Sequence, residues 1–318
     1  GIIYFVLTDI GKYAEKSPAH CHRNGLVNLF VSAHCHRNGL LKLFVFGDSY
    51  VDTGNWNLSL IAEPYGITFP GKPSGRFSDG RVLTDYIAPF LGIKSPVPYN
   101  RRKVAGKSKL QYGMNMAYGS SDVFDTWIKS LPNLTTQINL LKQVVNDEKL
   151  YTKDEFNNSI ALVSVEGNDY GYYISQKLNG TFNSEELKAH SRRVVKKLVK
   201  NLISIHHMGV PKIGLLQRSL QKLNRKSKNK QVYVLLVLYG AFMSAVEKHR
   251  HDADNEEYKD PLKPCCEGVG VNYSCGSVDK NGEKMYKLCK HPELSFFWDP
   301  IHPSQNGWHS PSLYQLLK

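Results

Sequence analysis

The tightest constraint on this chain is a recurring strand that ends abruptly in a polar loop. Leu41-Lys-Leu-Phe-Val-Phe46 is apolar and stops at Gly47-Asp48-Ser49. A run this short, closed by turn residues, predicts a buried strand opening into a loop. Ser159-Ile-Ala-Leu-Val-Ser-Val165 repeats the pattern and ends in Glu166-Gly167-Asn168-Asp169. Gly113–Tyr118, Val210–Leu216 and Gln231–Leu238 predict three further strands. Between them lie amphipathic stretches. Arg81–Leu91 places Val82, Leu83, Tyr86, Ile87, Phe90 and Leu91 on one side, and Leu134–Leu150 repeats Leu134, Ile138, Leu141 and Val145 at helical spacing. Ser184 opens a long helix reaching about His207, and Tyr239–Lys248 is a further helix. Strands alternating with helices predict an α/β domain whose mostly parallel central sheet is covered on both faces. In such sheets ligands sit at the carboxyl ends of the strands, which directs attention to the loops after Phe46, Tyr118 and Val165.

The chain has 318 residues, which suits one large α/β domain or two small ones. Residues 1–40 read as a loose arm and residues 41–318 as the folded domain. The arm carries a direct repeat, Ala19-His-Cys-His-Arg-Asn-Gly-Leu26 and Ala33-His-Cys-His-Arg-Asn-Gly-Leu40. We read it as a local duplication rather than a metal site built from His20, Cys21, His22, His34, Cys35 and His36. The chain starts at Gly1, and the apolar Ile2–Leu7 lacks a preceding positive region, so no secretory signal is read there. The expectation is a fragment, a processed product or a faulty gene model. No run approaches the roughly 18 apolar residues of a membrane span.

Other features point outside the cytosol. Asn-x-Ser/Thr acceptors occur at Asn57, Asn133, Asn157, Asn179 and Asn272. Cys265, Cys266, Cys275 and Cys289 cluster at spacings that match no common zinc pattern well, so disulfides are expected, with the vicinal pair bonded to other partners. A formal charge of +13 would suit a polyanionic partner. The basic stretches, Arg192-Arg193 with Lys196, Lys197 and Lys200, and Arg218–Lys230, lack the interleaved aromatics of a single-strand binder. They read as solvated helix faces, and no nucleic-acid partner is expected.

The three loops hold Ser49, Gly119 and Asn168, and a fourth segment reads Trp298-Asp-Pro-Ile-His-Pro303. Asp299 and His302 are three residues apart, so one turn can join carboxylate to imidazole. The carboxylate would fix the tautomer and stabilise the imidazolium. His302 could then take the proton of Ser49, a weak nucleophile unaided. Backbone N–H groups of Ser49 and Gly119, with the Asn168 amide, could hold the resulting oxyanion. Each residue alone has an ordinary structural reading as a turn or a capped loop. Only their joint occurrence in the right loops of one α/β pattern points to chemistry.

Phe46-Gly-Asp-Ser-Tyr-Val-Asp-Thr-Gly-Asn55 resembles the first block of the plant-type GDSL esterase/lipases, within the SGNH hydrolases. Gly75-Arg-Phe-Ser-Asp-Gly-Arg81, Ala117-Tyr-Gly-Ser-Ser-Asp-Val-Phe-Asp-Thr126, Val165-Glu-Gly-Asn-Asp169 and Asp299-Pro-Ile-His302 are similar to that family too, in chain order from Leu41 to Lys318. The resemblance implies a flavodoxin-like three-layer fold and hydrolysis of an acyl ester without a metal or cofactor. It implies Ser49 as nucleophile, His302 as base, Asp299 as its partner, Gly119 and Asn168 as oxyanion donors, and secretion to the wall or extracellular space. Ser49 lacks a Gly-x-Ser-x-Gly elbow, which disfavours the α/β-hydrolase fold.

The chain departs from the family in two places. The arm stands where a signal peptide is usual. Only Gln217–Lys230 separates two expected strands where the family has a longer segment. Parallel neighbours need a crossover of about a dozen residues, so the topology can close, at an expected cost in stability. The alternative to an esterase is therefore an inactive or truncated paralogue acting as a wall-binding glycoprotein, and association with acidic wall polysaccharide is a further expectation from the positive charge.

Overall fold

The structure, a computed structural model, describes residues 40–56, 62–165, 167–177, 184–215, 233–235, 242–244, 246–247 and 260–310. The duplicated arm, the acceptors Asn57 and Asn179, and the short 217–230 crossover lie outside the described residues.

Six strands form one sheet: β1 (Lys42–Gly47), β2 (Val97–Pro98), β3 (Gly113–Asn115), β4 (Ser159–Ser164), β5 (Lys212–Leu215) and β6 (Tyr233–Leu235). Their order is β2-β3-β1-β4-β5-β6, and every pairing is parallel. The five expected strands are present. The β3 ladder ends at Asn115, and the chain beyond it stays bonded alongside β1, Met116 N–H donating to Val45 O at 2.7 Å and Tyr118 N–H to Gly47 O at 3.0 Å. β5 and β6, the strands on either side of residues 217–230, pair in parallel.

All six residues of β1 are buried, as expected of a central strand covered on both faces. Its side chains alternate. Leu43 and Val45 join Ile160 and Leu162 in one apolar layer with Leu83, Ile87, Phe242, Phe296 and Trp308. Phe44 and Phe46 join Ala161 and Val163 in the other, with Met114, Ile138, Leu141, Leu198 and Leu202. The period-2 pleat thus divides one strand between two cores. The first layer is closed by α1 (Leu83–Phe90). The second is closed by α2 (Leu134–Asn146) and by the long helix Ser184–His207. That long helix buries Val194, Leu198, Leu202 and Ile205 while Arg192, Arg193, Lys196 and Lys200 face solvent, the amphipathic division expected of it. α2 ends at Asn146, short of the expected Leu150. Asn133 caps its start, its side chain accepting from Thr136 N–H.

Because β3, β1 and β4 are adjacent and parallel, the loops that follow them emerge side by side at one edge. The chain moves from β1 to one side and later returns to the other, a topological switch point. The C-terminal stretch is less irregular than expected. β7 (Cys266–Gly268) and β8 (Tyr286–Leu288) pair antiparallel, and a helix of five residues, Gln305–His309, follows. Disulfides Cys265–Cys289 and Cys266–Cys275 staple this stretch, so the vicinal cysteines do bond to other partners.

Candidate active site

Ser49 follows β1 by two residues and is 7% exposed. Gly47 makes the exit with φ +131°, and a Cβ there would overlap the Ser164 carbonyl of β4, so only glycine fits. Gln137 of α2 brackets that glycine. Gly47 N–H donates to Gln137 Oε1 at 2.8 Å, and Gln137 Nε2 donates to Gly47 O at 2.8 Å. Asp48 accepts from Tyr50 N–H at 3.1 Å and from the Ser164 hydroxyl at 3.0 Å. The Ser49 loop is thereby tied to β4 and α2.

His302 reaches this loop from the other end of the chain. Its Nε2 lies 2.9 Å from Ser49 Oγ, and its Nδ1 lies 2.7 Å from Asp299 Oδ2. Asp299 Oδ1 accepts from the N–H groups of Ile301 and His302, both at 2.8 Å. Burial alone would raise the Asp299 carboxyl; the adjoining His302 and the hydrogen bonds from His302, Tyr65 and Ile301 outweigh it and hold it below the usual range. An ionised carboxylate only accepts, so Nδ1 carries the proton and the Nε2 lone pair faces the hydroxyl. The relay is Ser49 O–H to His302 to Asp299. The Tyr50 hydroxyl donates to Ile301 O at 2.8 Å, fixing the histidine loop against the serine loop. The Phe77 ring lies 5.0 Å from the His302 ring.

The expected oxyanion donors emerge from the neighbouring strands, with other partners in this state. Gly119 N–H donates to Asp52 Oδ2 at 3.1 Å. Asn168 Nδ2 donates one of its two protons to Ser121 O at 2.9 Å. Gly119 has no room for a side chain, since a Cβ would overlap the Phe77 ring.

Two acidic groups that the sequence reading gave no role organise these loops. Asp52 is fully buried and accepts from the N–H groups of Gly54, Asn55, Trp56 and Gly119 at 2.7–3.1 Å. Burial pushes its carboxyl up to about 6 against those four donors. Asn55 extends the tie, its amide donating to Asn115 O and Ala117 O, both at 2.8 Å. Next to Asn168, Asp169 N–H donates to Asp122 Oδ2 at 2.8 Å, while the Asp169 carboxylate accepts from Val123 and Phe124 N–H. Burial, then the adjoining Asp122, pushes Asp169 up to about 8. The visible signal for both acids was an Asp inside an otherwise turn-rich block, which does not distinguish a buried hub from an exposed turn.

Among the described residues, no group of three or more His, Cys, Asp or Glu side chains is placed to hold a metal ion. No described helix is long and apolar enough to cross a membrane.

A family profile described as GDSL-like Lipase/Acylhydrolase matches residues 43–309. The chain is 42% identical to GDSL esterase/lipase At5g03610 of Arabidopsis thaliana, over 86% of this chain and 84% of that protein. It is also 42% identical to GDSL esterase/lipase At3g09930 of the same plant, over 86% of each. GDSL esterase/lipase 5, again from Arabidopsis thaliana, is 27% identical over 97% of this chain and 88% of that protein. With its parallel sheet and with the serine, histidine and aspartate of its matched segment in mutual contact, the chain belongs to the GDSL-like lipase/acylhydrolase family and is a carboxylic ester hydrolase.

Proposed function

We propose that the protein hydrolyses acyl esters through an acyl-enzyme at Ser49. The observation that carries this reading is the unbroken hydrogen-bonded relay from Ser49 Oγ through both nitrogens of His302 to Asp299. His302 takes the hydroxyl proton as Ser49 Oγ attacks the ester carbonyl. The tetrahedral oxyanion forms within reach of the Ser49 and Gly119 N–H groups and the second Asn168 amide proton. His302 returns its proton to the leaving alcohol, then activates the water that releases the acid. The Gly119 N–H must be shared with, or released by, Asp52 for the hole to assemble. An inactive paralogue would have little need of this arrangement, and the relay weighs against that alternative.

Apolar side chains flank these residues. Ile301, beside His302, is 64% exposed, and Trp127, 49% exposed, packs on Gly171 and Tyr172 in the helix that begins at Asn168. We read them as walls for the acyl chain. Secretion is supported by the two disulfides, which persist in oxidising compartments, and by the exposed acceptor Asn272. An open groove of about 570 Å³ is lined by Arg192, Arg193 and Lys196 together with Lys177, which is paired with Glu186 at 2.9 Å; its net positive charge is the feature that would favour acidic wall polysaccharide, and such binding would weaken with salt.

A fluorophosphonate serine probe, with the modified residue located by mass spectrometry, tests the main reading. Labelling at Ser49 that Ser49→Ala abolishes and His302→Ala weakens is the expected result. A folded protein that takes no label would overturn it.

A further inference from the structure

We propose that Tyr65 is a positioning residue for the Asp299–His302 pair, its hydroxyl fixing the carboxylate oxygen from which His302 is oriented. This rests on the esterase reading above and adds a fourth side chain to the relay. The Tyr65 hydroxyl donates to Asp299 Oδ2 at 2.7 Å, the same oxygen that accepts from His302 Nδ1 at 2.7 Å. Oδ1 accepts the N–H groups of Ile301 and His302. A carboxylate offers about four lone-pair sites, so every one is taken. Asp299 is only 5% exposed, and solvent is poorly placed to replace a missing donor. Without the hydroxyl, a buried ionised oxygen loses one of its two partners. Turning the carboxylate to recover one would carry His302 Nδ1 with it.

The phenol is itself held. Its ring lies edge-on between Phe77 and Trp298, both at 6.2 Å, and packs on the cluster of Cys265, Cys266, Cys275 and Trp298. Gly66 N–H donates to Ser78 O at 3.0 Å, closing the loop beneath it. Phe77 also faces His302, so Tyr65 and the imidazole share a neighbour. Burial, then the charge of Asp299, pushes the Tyr65 phenol far up, so it stays a donor wherever the enzyme works. The titratable groups set against Asp299 are Tyr65 from the loop after β1 and His302 from its own loop; Phe77 and Trp298, which flank Tyr65, carry no charge. Tyr65 and Asp299 are 234 positions apart.

The test compares wild type with Tyr65→Phe, which keeps the ring and removes the hydroxyl. Tyr151→Phe is the control: Tyr151 donates to Leu110 O at 3.0 Å within the apolar layer of Phe44 and Phe46, a cluster separate from that of Tyr65. Steady-state hydrolysis of a short-chain p-nitrophenyl ester is followed against pH, with Tm measured alongside. Tyr65→Phe should lower kcat about tenfold with KM little changed. The acid limb of kcat/KM should move to higher pH, because a carboxylate relieved of one donor binds the imidazolium more tightly. Tyr151→Phe should lower Tm and leave that limb in place. Wild-type kcat and an unmoved limb in Tyr65→Phe would overturn the proposal, as would parallel falls in Tm and kcat with the limb unmoved. A wild-type protein that hydrolyses no ester and leaves Ser49 unlabelled overturns the esterase reading itself, and the proposal with it.

Discussion

Ser49 and His302 meet at 2.9 Å, yet they are held in place by unlike means. Ser49 sits two residues beyond a strand that is buried throughout and paired on both sides. In its loop the Asp48 and Asp52 carboxylates accept from backbone N–H groups, while the Asn55 and Gln137 amides donate to backbone carbonyls. His302 lies on a strap, residues 260–310, whose regular structure is two three-residue strands and two short helical turns. Two disulfides, a Trp298 core and isolated bridges such as Phe297 to Pro303 do the holding there. A central strand fixes the residue just beyond it, here Ser49, because both neighbours supply backbone partners. Among the described residues the strap's backbone hydrogen bonds, such as Cys265 N–H to Phe297 O at 3.0 Å and Trp298 N–H to His302 O at 2.8 Å, join it to itself rather than to the sheet, and the disulfides add covalent restriction. Segments poor in such ladders open locally at lower free energy.

The largest expected effect touches both regions at their contact. Ser49→Ala should lower kcat ~10⁴-fold or more with Tm near wild type. A residual rate well above that would place the nucleophile elsewhere.

The next pair separates the regions. Asp52→Ala orphans four buried N–H groups, each costing ~1–3 kcal/mol when unpaired though not additively. Activity and far-UV circular dichroism should fail together on heating, because that loop belongs to the sheet. Replacing Cys266 and Cys275 by serine removes a link worth roughly 3 kcal/mol in chain entropy. Here ester hydrolysis should disappear at a lower temperature than the dichroism signal. Coincident loss in both variants would remove the distinction drawn between sheet and strap.

A smaller effect follows from the acid pair beside Asn168. Asp169 has an ordinary value of 3.8, and the fold raises it to about 8. Between those values the folded state holds the extra proton, so this group's stabilising contribution is full below 3.8, falls progressively as pH rises across that window and is lost by about 8. Asp299 works in the opposite sense, its contribution being lost as pH falls through its lowered value. Asp169→Asn should therefore flatten the fall of Tm between about pH 4 and pH 8 and leave the loss below that window, where Asp299 is protonated, intact. A decline as steep as wild type would show that the pair does not hold that proton.

The smallest effect concerns substrate choice. Trp127→Ala should raise KM a few-fold for long-chain esters and leave short-chain esters unchanged, on the order of one or two buried methylenes of lost contact. Equal effects on both would detach Trp127 from the acyl site.

Much of the sheet side was legible beforehand. The Leu41–Phe46 and Ser159–Val165 runs announced β1 and β4, and the loops after them held Ser49 and Asn168. These signals are short-range: a period of two, a closing glycine, an apolar stripe at helical spacing. The strap was legible only as chemistry. Asp299 and His302 were recognisable three residues apart, and the four clustered cysteines suggested bonding, but nothing local said which would pair.

What the sequence by itself determined was the α/β class and the order of its main elements, because these depend on neighbours within a few residues, and the joint presence of the residue types from which the proposed site is built. Tertiary structure alone decided that Asp52 gathers four N–H groups, that Gly119 and Asn168 already have partners in this state, and that Tyr65 meets Asp299 across 234 positions. A tyrosine or an aspartate carries the same local signature whether it lies in solvent or in a core. Its role is set by burial and by a partner that only the closed fold brings within hydrogen-bonding distance.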